Sequence, residues 1–144
     1  MLIIILLKHK FTRKRVTIVC VHLKAFQEFA EKRLEQTKFI MNILREHLAC
    51  NQEDISKQPV IMCGDFNGSL QEPFFNLILS QSDMRLSSVD FMNKKEQIDY
   101  IFYTKSNSSL ELVSYLERVQ VKETLPSLIY PSDHLSLVCD FQFV

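Results

Sequence analysis

Apolar and polar positions along this chain follow two different periods, and the places where the period changes mark its elements. Residues 2–7 and 16–21 are short runs of isoleucine, leucine and valine, separated by a basic stretch over 8–15. Runs of this kind, bounded by polar residues, predict two buried strands joined by an exposed turn, a β-hairpin. From 26 to 48 the spacing becomes helical. Phe29, Leu34, Ile40, Ile43, Leu44 and Leu48 fall roughly on one side, with Glu, Lys and Arg on the other, so one long amphipathic helix is expected. Residues 51–58 are polar and loop-like. Pro59 then leads into Val60, Ile61, Met62 and Cys63, an apolar run that predicts a central strand stopping at Gly64.

Residues 74–80 read as a short packing helix with Pro73 near its first turn, where a missing amide hydrogen costs little. Residues 98–103 have the aromatic and β-branched content of a strand. After a turn over 106–109, residues 110–118 are compatible with a strand or a short helix. Over 135–144, Leu137, Cys139, Phe141 and Phe143 alternate with Ser136, Asp140 and Gln142, as in a half-buried closing strand. The order of elements is mixed α/β, with helices packed on sheets.

Composition narrows this picture. With 144 residues, 47% hydrophobic and 24% charged, the chain suffices for one compact domain or a piece of one. Two glycines, four prolines and no internal repeat argue against a solenoid or a disordered tail. Seventeen basic and seventeen acidic residues give no net charge, so a counterion-driven grip on long nucleic acid is not expected and any such contact must be local. Cys20, Cys50, Cys63 and Cys139 show neither metal-type spacing nor disulfide density, which fits a reducing, intracellular and cytoplasmic setting. The opening apolar run is too short to span a bilayer and lacks a preceding basic stretch; a strand is expected in preference to a targeting remnant.

The candidate chemistry sits where strands run out. The second strand ends in His22-Leu23-Lys24 and the central one in Gly64-Asp65-Phe66-Asn67; another begins at Asp99-Tyr100, and the last is preceded by Ser132-Asp133-His134. Each has a structural reading: an Asx-turn for Asp65 and Asn67, an interior histidine at His22, a turn cap at Asp133, a surface carboxylate at Asp99. Together they are three carboxylates, two histidines, an asparagine and a lysine. Carboxylates with little sulfur around them suit a hard cation such as Mg2+ working beside substrate phosphates. A histidine next to a carboxylate holds one tautomer and stabilises or moves charge, and amide and ammonium groups donate to phosphate oxygens. The expected chemistry is metal-assisted hydrolysis of a phosphate ester.

The ordered motifs His22-Leu23-Lys24, Gly64-Asp65-Phe66-Asn67, Asp99-Tyr100-Ile101 and Ser132-Asp133-His134 resemble the C-terminal motifs of the endonuclease/exonuclease/phosphatase superfamily. The likeness is to its deadenylase-like branch, and it extends through the stretch 125–141 and to Arg33 and Gln36 on the long helix. The resemblance implies an α/β fold, the C-terminal half of a two-sheet sandwich, with residues 1–144 forming a single partial domain. It implies a Mg2+-dependent phosphoesterase in which Asp65 lies near the attacking water or leaving oxygen, Asn67 orients the phosphate, and Asp99 orients His134 against the scissile group. His22 and Lys24 would line the phosphate pocket, and Asp133 would lie at the metal. The principal glutamate ligand of the family, and one face of the core, would lie outside these residues.

Two substrates are consistent with the resemblance: the 2′-phosphate of NADP+ or NADPH, and poly(A) RNA taken from its 3′ end. Neutral charge and no evident array of basic and stacking residues favour the dinucleotide. A non-catalytic chain with only a binding role is the third expectation. Where the family carries a phosphate-holding arginine after the His-Leu-Lys-Ala stretch, this chain has Phe26, and an apolar ring does not replace that charge. Lys94 and Lys95, in the shortened segment between 79 and 98, read as a solvated turn.

Overall fold

The computed structural model describes residues 1–50, 54–89, 97–105, 109–117 and 124–144. The sequence readings at 51–53, 106–108 and 118, together with Lys94 and Lys95, lie outside them.

The expected hairpin forms, but its first strand is not the buried one expected: residues 2–8 are all exposed or half-buried. Strands β1 (Leu2–Lys8) and β2 (Arg15–His22) pair antiparallel from Leu2↔Val21 to Lys8↔Arg15. Strand β3 (Val60–Asp65) lies parallel to β2, and β5 (Asp99–Thr104) lies antiparallel to β3. A three-residue strand β4 (Leu86–Ser88), too short to show a period in the sequence, closes the far edge against β5. The five-stranded order is β1-β2-β3-β5-β4, and β6 (Leu110–Tyr115) and β7 (Cys139–Phe143) make a separate antiparallel pair. The open question over 110–118 therefore resolves as a strand. The last strand is shorter than 135–144, its ladder starting at Tyr115↔Cys139 where β6 ends.

Helices α1 (Ala30–Ala49) and α2 (Pro73–Leu79) cover one face of the large sheet. Val19, Val21, Val60, Met62, Tyr100 and Phe102 from the strands meet Ile40, Met41, Leu44 and Leu48 from α1 and Phe74, Phe75 and Ile78 from α2. Helical structure starts later than 26, after a single 3-10 turn at Gln27–Phe29. The buried stripe of α1 is also rotated from the expected one: Arg33, Thr37, Ile40, Met41, Leu44 and Leu48, with Phe29 exposed and Leu34 and Ile43 half-buried. Arg33 explains the difference. Its charge is neutralised inside the fold, so it joins a stripe that hydrophobicity alone assigns to its neighbours.

The opposite face is covered only in part. Ile61, Ile101 and Tyr103 pack under Leu112 and Phe141 of the β6-β7 pair. Nearer β1 the same face leaves Ile3, Ile5 and Leu7 exposed at 44%, 48% and 49%. Among the described residues, no helix is long and apolar enough to cross a membrane.

Candidate active site

One rung of the sheet carries the site. Residue alternation along strands puts every second side chain on one face, and the register sets His22 beside Asp65 and Asp65 opposite Asp99. Three side chains from three strands thus line up at one sheet end, across 77 residues of sequence. For β3 to reach this rung its backbone must pass Gly64, whose φ is 139°. A Cβ there would sit 2.0 Å from the Val21 carbonyl oxygen, closer than any atom pair tolerates. Gly64 therefore does not end β3 but carries it on to Asp65, a correction to the expected boundary.

Beyond the rung the chain is pinned by its alternating partners. Phe66 turns into the core, stacked on Phe74 at 5.6 Å and edge-on to Tyr100 and Phe102. Tyr100 is buried, and its hydroxyl donates to the Gln97 carbonyl at 2.6 Å, with the Gly68 carbonyl at 3.0 Å. Burial and the nearby Glu72 and Asp99 charges hold this phenol protonated far above its usual range, so it serves as a fixed donor tying both flanking loops. Asn67 takes a left-handed backbone, φ 52°, a conformation asparagine accepts more readily than most residues.

The Asx-turn reading of Asp65 and Asn67 is realised. Asp65 Oδ1 accepts the Asn67 backbone N–H at 2.8 Å, and Oδ2 accepts the Asn67 side-chain amide at 3.0 Å. The other Asn67 amide hydrogen goes to the Leu23 carbonyl at 3.2 Å. This does not exclude a chemical role, because Asp65 Oδ2 also lies 3.7 Å from His22 Nε2 and 3.7 Å from His134 Nε2. The turn fixes one carboxylate oxygen and aims the other between two imidazoles.

His134 arrives from the segment before β7. Its backbone N–H is held by Ser132 Oγ at 3.0 Å, and its Nδ1 lies 2.8 Å from Asp99 Oδ2. The hydrogen bond to Asp99, helped by the Asp99, Asp65 and Asp133 charges, raises the imidazole pKa against the opposing effect of burial. Asp65, Asp99 and His134 each offer a ligand atom within 4.8 Å of the others. Asp133 is exposed and lies outside that group; its charge reaches His134 without joining the cluster. Lys24 also stands apart, its ammonium 4.7 Å above the Phe29 ring and 5.7 Å from that of Phe26.

Sequence reasoning missed what holds the His22-Lys24 lip. Arg33, fully buried, donates to both Glu72 oxygens at 2.8 and 2.7 Å and to the carbonyls of Lys24 and Phe26 at 2.9 and 2.6 Å. Gln36 accepts the Lys24 backbone N–H at 2.9 Å. The available signal was an arginine at i−7 from the apolar Ile40 of α1, with Thr37 between them on the same face. Beside the rung, a groove of about 230 Å3 is lined by Cys63, Asp99, Ile101, Leu135 and Leu137, below the roughly 300–1,000 Å3 of sites that enclose a ligand.

Residues 19–134 match the model of the Endonuclease/Exonuclease/phosphatase family. The chain belongs to that family. It is 31% identical to human nocturnin over 160 aligned residues, which cover 95% of this chain and 36% of nocturnin. It is 27% identical over 180 residues to the Kluyveromyces lactis CCR4-Not complex 3'-5'-exoribonuclease subunit Ccr4, covering 94% of this chain and 22% of that protein. The solved human nocturnin catalytic domain, with bound sulfate anion, superimposes with a TM-score of 0.77 at 30% identity, covering 96% of this chain and 51% of that domain. The family fold expected from the motifs is thus the fold observed. The chain spans about a third of the length of the nocturnins it matches.

Proposed function

We propose that this chain carries part of the active site of a nocturnin-like phosphoesterase that hydrolyses the 2′-phosphate of NADP+ and NADPH. The observation that supports it best is the His134-Asp99 pair standing over the rung of His22 and Asp65. Asp99 accepts Nδ1–H, fixing the tautomer and ring plane, so Nε2 faces the space beside Asp65 Oδ2. A protonated Nε2 there donates to a phosphoryl oxygen and offsets the charge that gathers on it as the ester bond breaks. Asp65 Oδ2, placed by Asn67, is positioned to orient the attacking water or to take its proton. His22 lines the same pocket; in this geometry Asn67 is a positioning residue, both its amide hydrogens being committed.

The donor set fits a hard divalent cation. Two carboxylates converge with no thiolate in the cluster, and Mg2+ characteristically takes one or two carboxylates, waters and substrate phosphate oxygens. Asp65 and Asp99 would hold it, and it would supply Lewis-acid polarisation of the phosphoryl group and a more acidic bound water.

Phosphate release from NADPH with Mg2+, by a folded protein that joins these residues to the family's N-terminal half, tests the reading: release is expected, abolished by EDTA and by His134→Ala, and its absence from that protein rejects the activity. A second reading, 3′-end shortening of poly(A), is favoured by the similarity to a protein named as a 3'-5'-exoribonuclease subunit. Shortening of labelled poly(A) without phosphate release from NADPH selects it.

A further inference from the structure

The β1-β2 turn gathers charge that the neutral whole conceals. Lys8, Lys10, Arg13, Lys14 and Arg15 are five of the 17 basic residues, packed into eight positions. In the fold four of the five line one surface. A cavity of about 340 Å3 is lined by Lys8, Arg13, Lys14 and Arg15 from the hairpin and by Lys57 from the segment before β3, with no described acidic side chain in its wall. Lys8 stands directly opposite Arg15 in the antiparallel ladder, an arrangement that like charges make unfavourable. Lys14 donates to the Val144 oxygen and Lys57 lies 4.0 Å from Asp54. Lys8, Arg13 and Arg15 form no ion pair with any described carboxylate.

The hairpin also presents an aromatic ring at its tip. Phe11 is 83% exposed, with the Lys10 ammonium 5.9 Å from its centre and the His9 ring edge-on at 6.0 Å. A ring placed in water among cations gains nothing from the core. It offers instead an exposed flat face two residues along the turn from Arg13, which lines the basic cavity, and rings with basic side chains are what single-stranded nucleic acids use for base stacking and backbone contact. The cluster lies at the far end of β2 from His22, seven residues or roughly 23 Å away at ~3.3 Å per residue, so it is separate from the rung.

We propose that the Lys8–Arg15 hairpin, with Lys57, is a binding site for single-stranded nucleic acid, its phosphates in the basic cavity and one base on Phe11. The proposal does not rest on the phosphoesterase reading. Fluorescence anisotropy of the whole chain with a labelled single-stranded oligonucleotide of about 12 nucleotides, in EDTA, tests it. Affinity is expected to fall with salt. The triple variant Lys8→Gln, Arg13→Asn, Arg15→Gln should bind at least about tenfold more weakly at about 50 mM salt and lose roughly 2 from the logarithmic salt slope, at ~0.7 per phosphate contact. Asparagine is chosen at 13 because the backbone there is left-handed, φ 64°. Phe11→Ala should weaken binding about fivefold or more with the slope unchanged. Circular dichroism melting confirms that each variant folds, and Phe11→Ala, at an exposed turn position, serves if the triple variant does not. No binding by the wild-type chain, or equal binding by the folded variants, overturns the proposal. Dextran sulfate competing as well as the oligonucleotide, with Phe11→Ala silent, overturns it in favour of a general polyanion surface.

Discussion

His134 Nδ1 and Asp99 Oδ2 lie 2.8 Å apart although 35 residues separate them. The bond ties the segment before β7 to the first residue of β5, and its charge raises the imidazole pKa. In protein freed of divalent ions, ring resonances of His134 should titrate above the ordinary value of 6.5, and Asp99→Asn should bring the midpoint down. Because the folded pKa is the higher one, the pair's stabilisation is fully present below the unfolded value and is lost as pH rises through the folded pKa. The melting-temperature difference between wild type and Asp99→Asn should therefore be larger at about pH 5.5 than at pH 8. An unchanged His134 midpoint in the variant would show that the hydrogen bond does not hold in solution.

The Arg33-Glu72 pair makes a stronger demand on the fold. Arg33 is fully buried with every described bond pointing at Glu72 or at carbonyls of residues 24–27. Removing its carboxylate partner leaves an uncompensated charge in the interior, so Glu72→Ala should cost about 3–5 kcal/mol. Urea denaturation measures this directly. Glu72→Gln, which keeps an acceptor oxygen, should cost less; equal midpoints for Glu72→Ala and wild type would mean that water reaches the guanidinium.

At Gly64 the limit is steric rather than electrostatic. A methyl group at this position meets the Val21 carbonyl at 2.0 Å, and neither strand can yield without breaking the β2-β3 ladder next to His22 and Asp65. Gly64→Ala should lower stability by at least about 1–3 kcal/mol from backbone strain alone. It should also lower activity in any residual folded fraction, since the rung is one residue away. A folded, fully active Gly64→Ala protein would contradict the register.

The hairpin, the central strand, the short proline-led helix and the alternation in the closing strand were all legible because each is carried by local period. The four polar motifs were legible as motifs. What could not be read was their assembly. His22, Asp65 and Asp99 share a rung only because β2 and β3 run parallel and β5 antiparallel, a pairing that no local pattern encodes. The buried face of α1 was misplaced for a related reason, its defining residue being an arginine whose partner lies 39 positions away. Thr37, within the same buried stripe, carries too little hydrophobic contrast to reveal the rotation.

Metal binding separates the sequence expectation from the geometry most sharply. The resemblance put Asp133 at the cation, whereas the structure converges Asp65, Asp99 and His134 and leaves Asp133 exposed. The carboxylates that accept hydrogen bonds from Asn67 and His134 are already oriented, so little ordering cost remains for them to hold an ion. An exposed Asp133 would have to be drawn in from solvent. Titration with Mn2+, followed by paramagnetic broadening of resonances around the rung, should show binding weakened by about tenfold or more in Asp65→Asn and Asp99→Asn, as even loss of a ligand's supporting contact costs ~10–100-fold. Asp133→Asn should bind nearly as wild type. The reverse order, with Asp133→Asn the damaging change, would place the ion on the exposed side of His134 and remove Asp65 from its coordination.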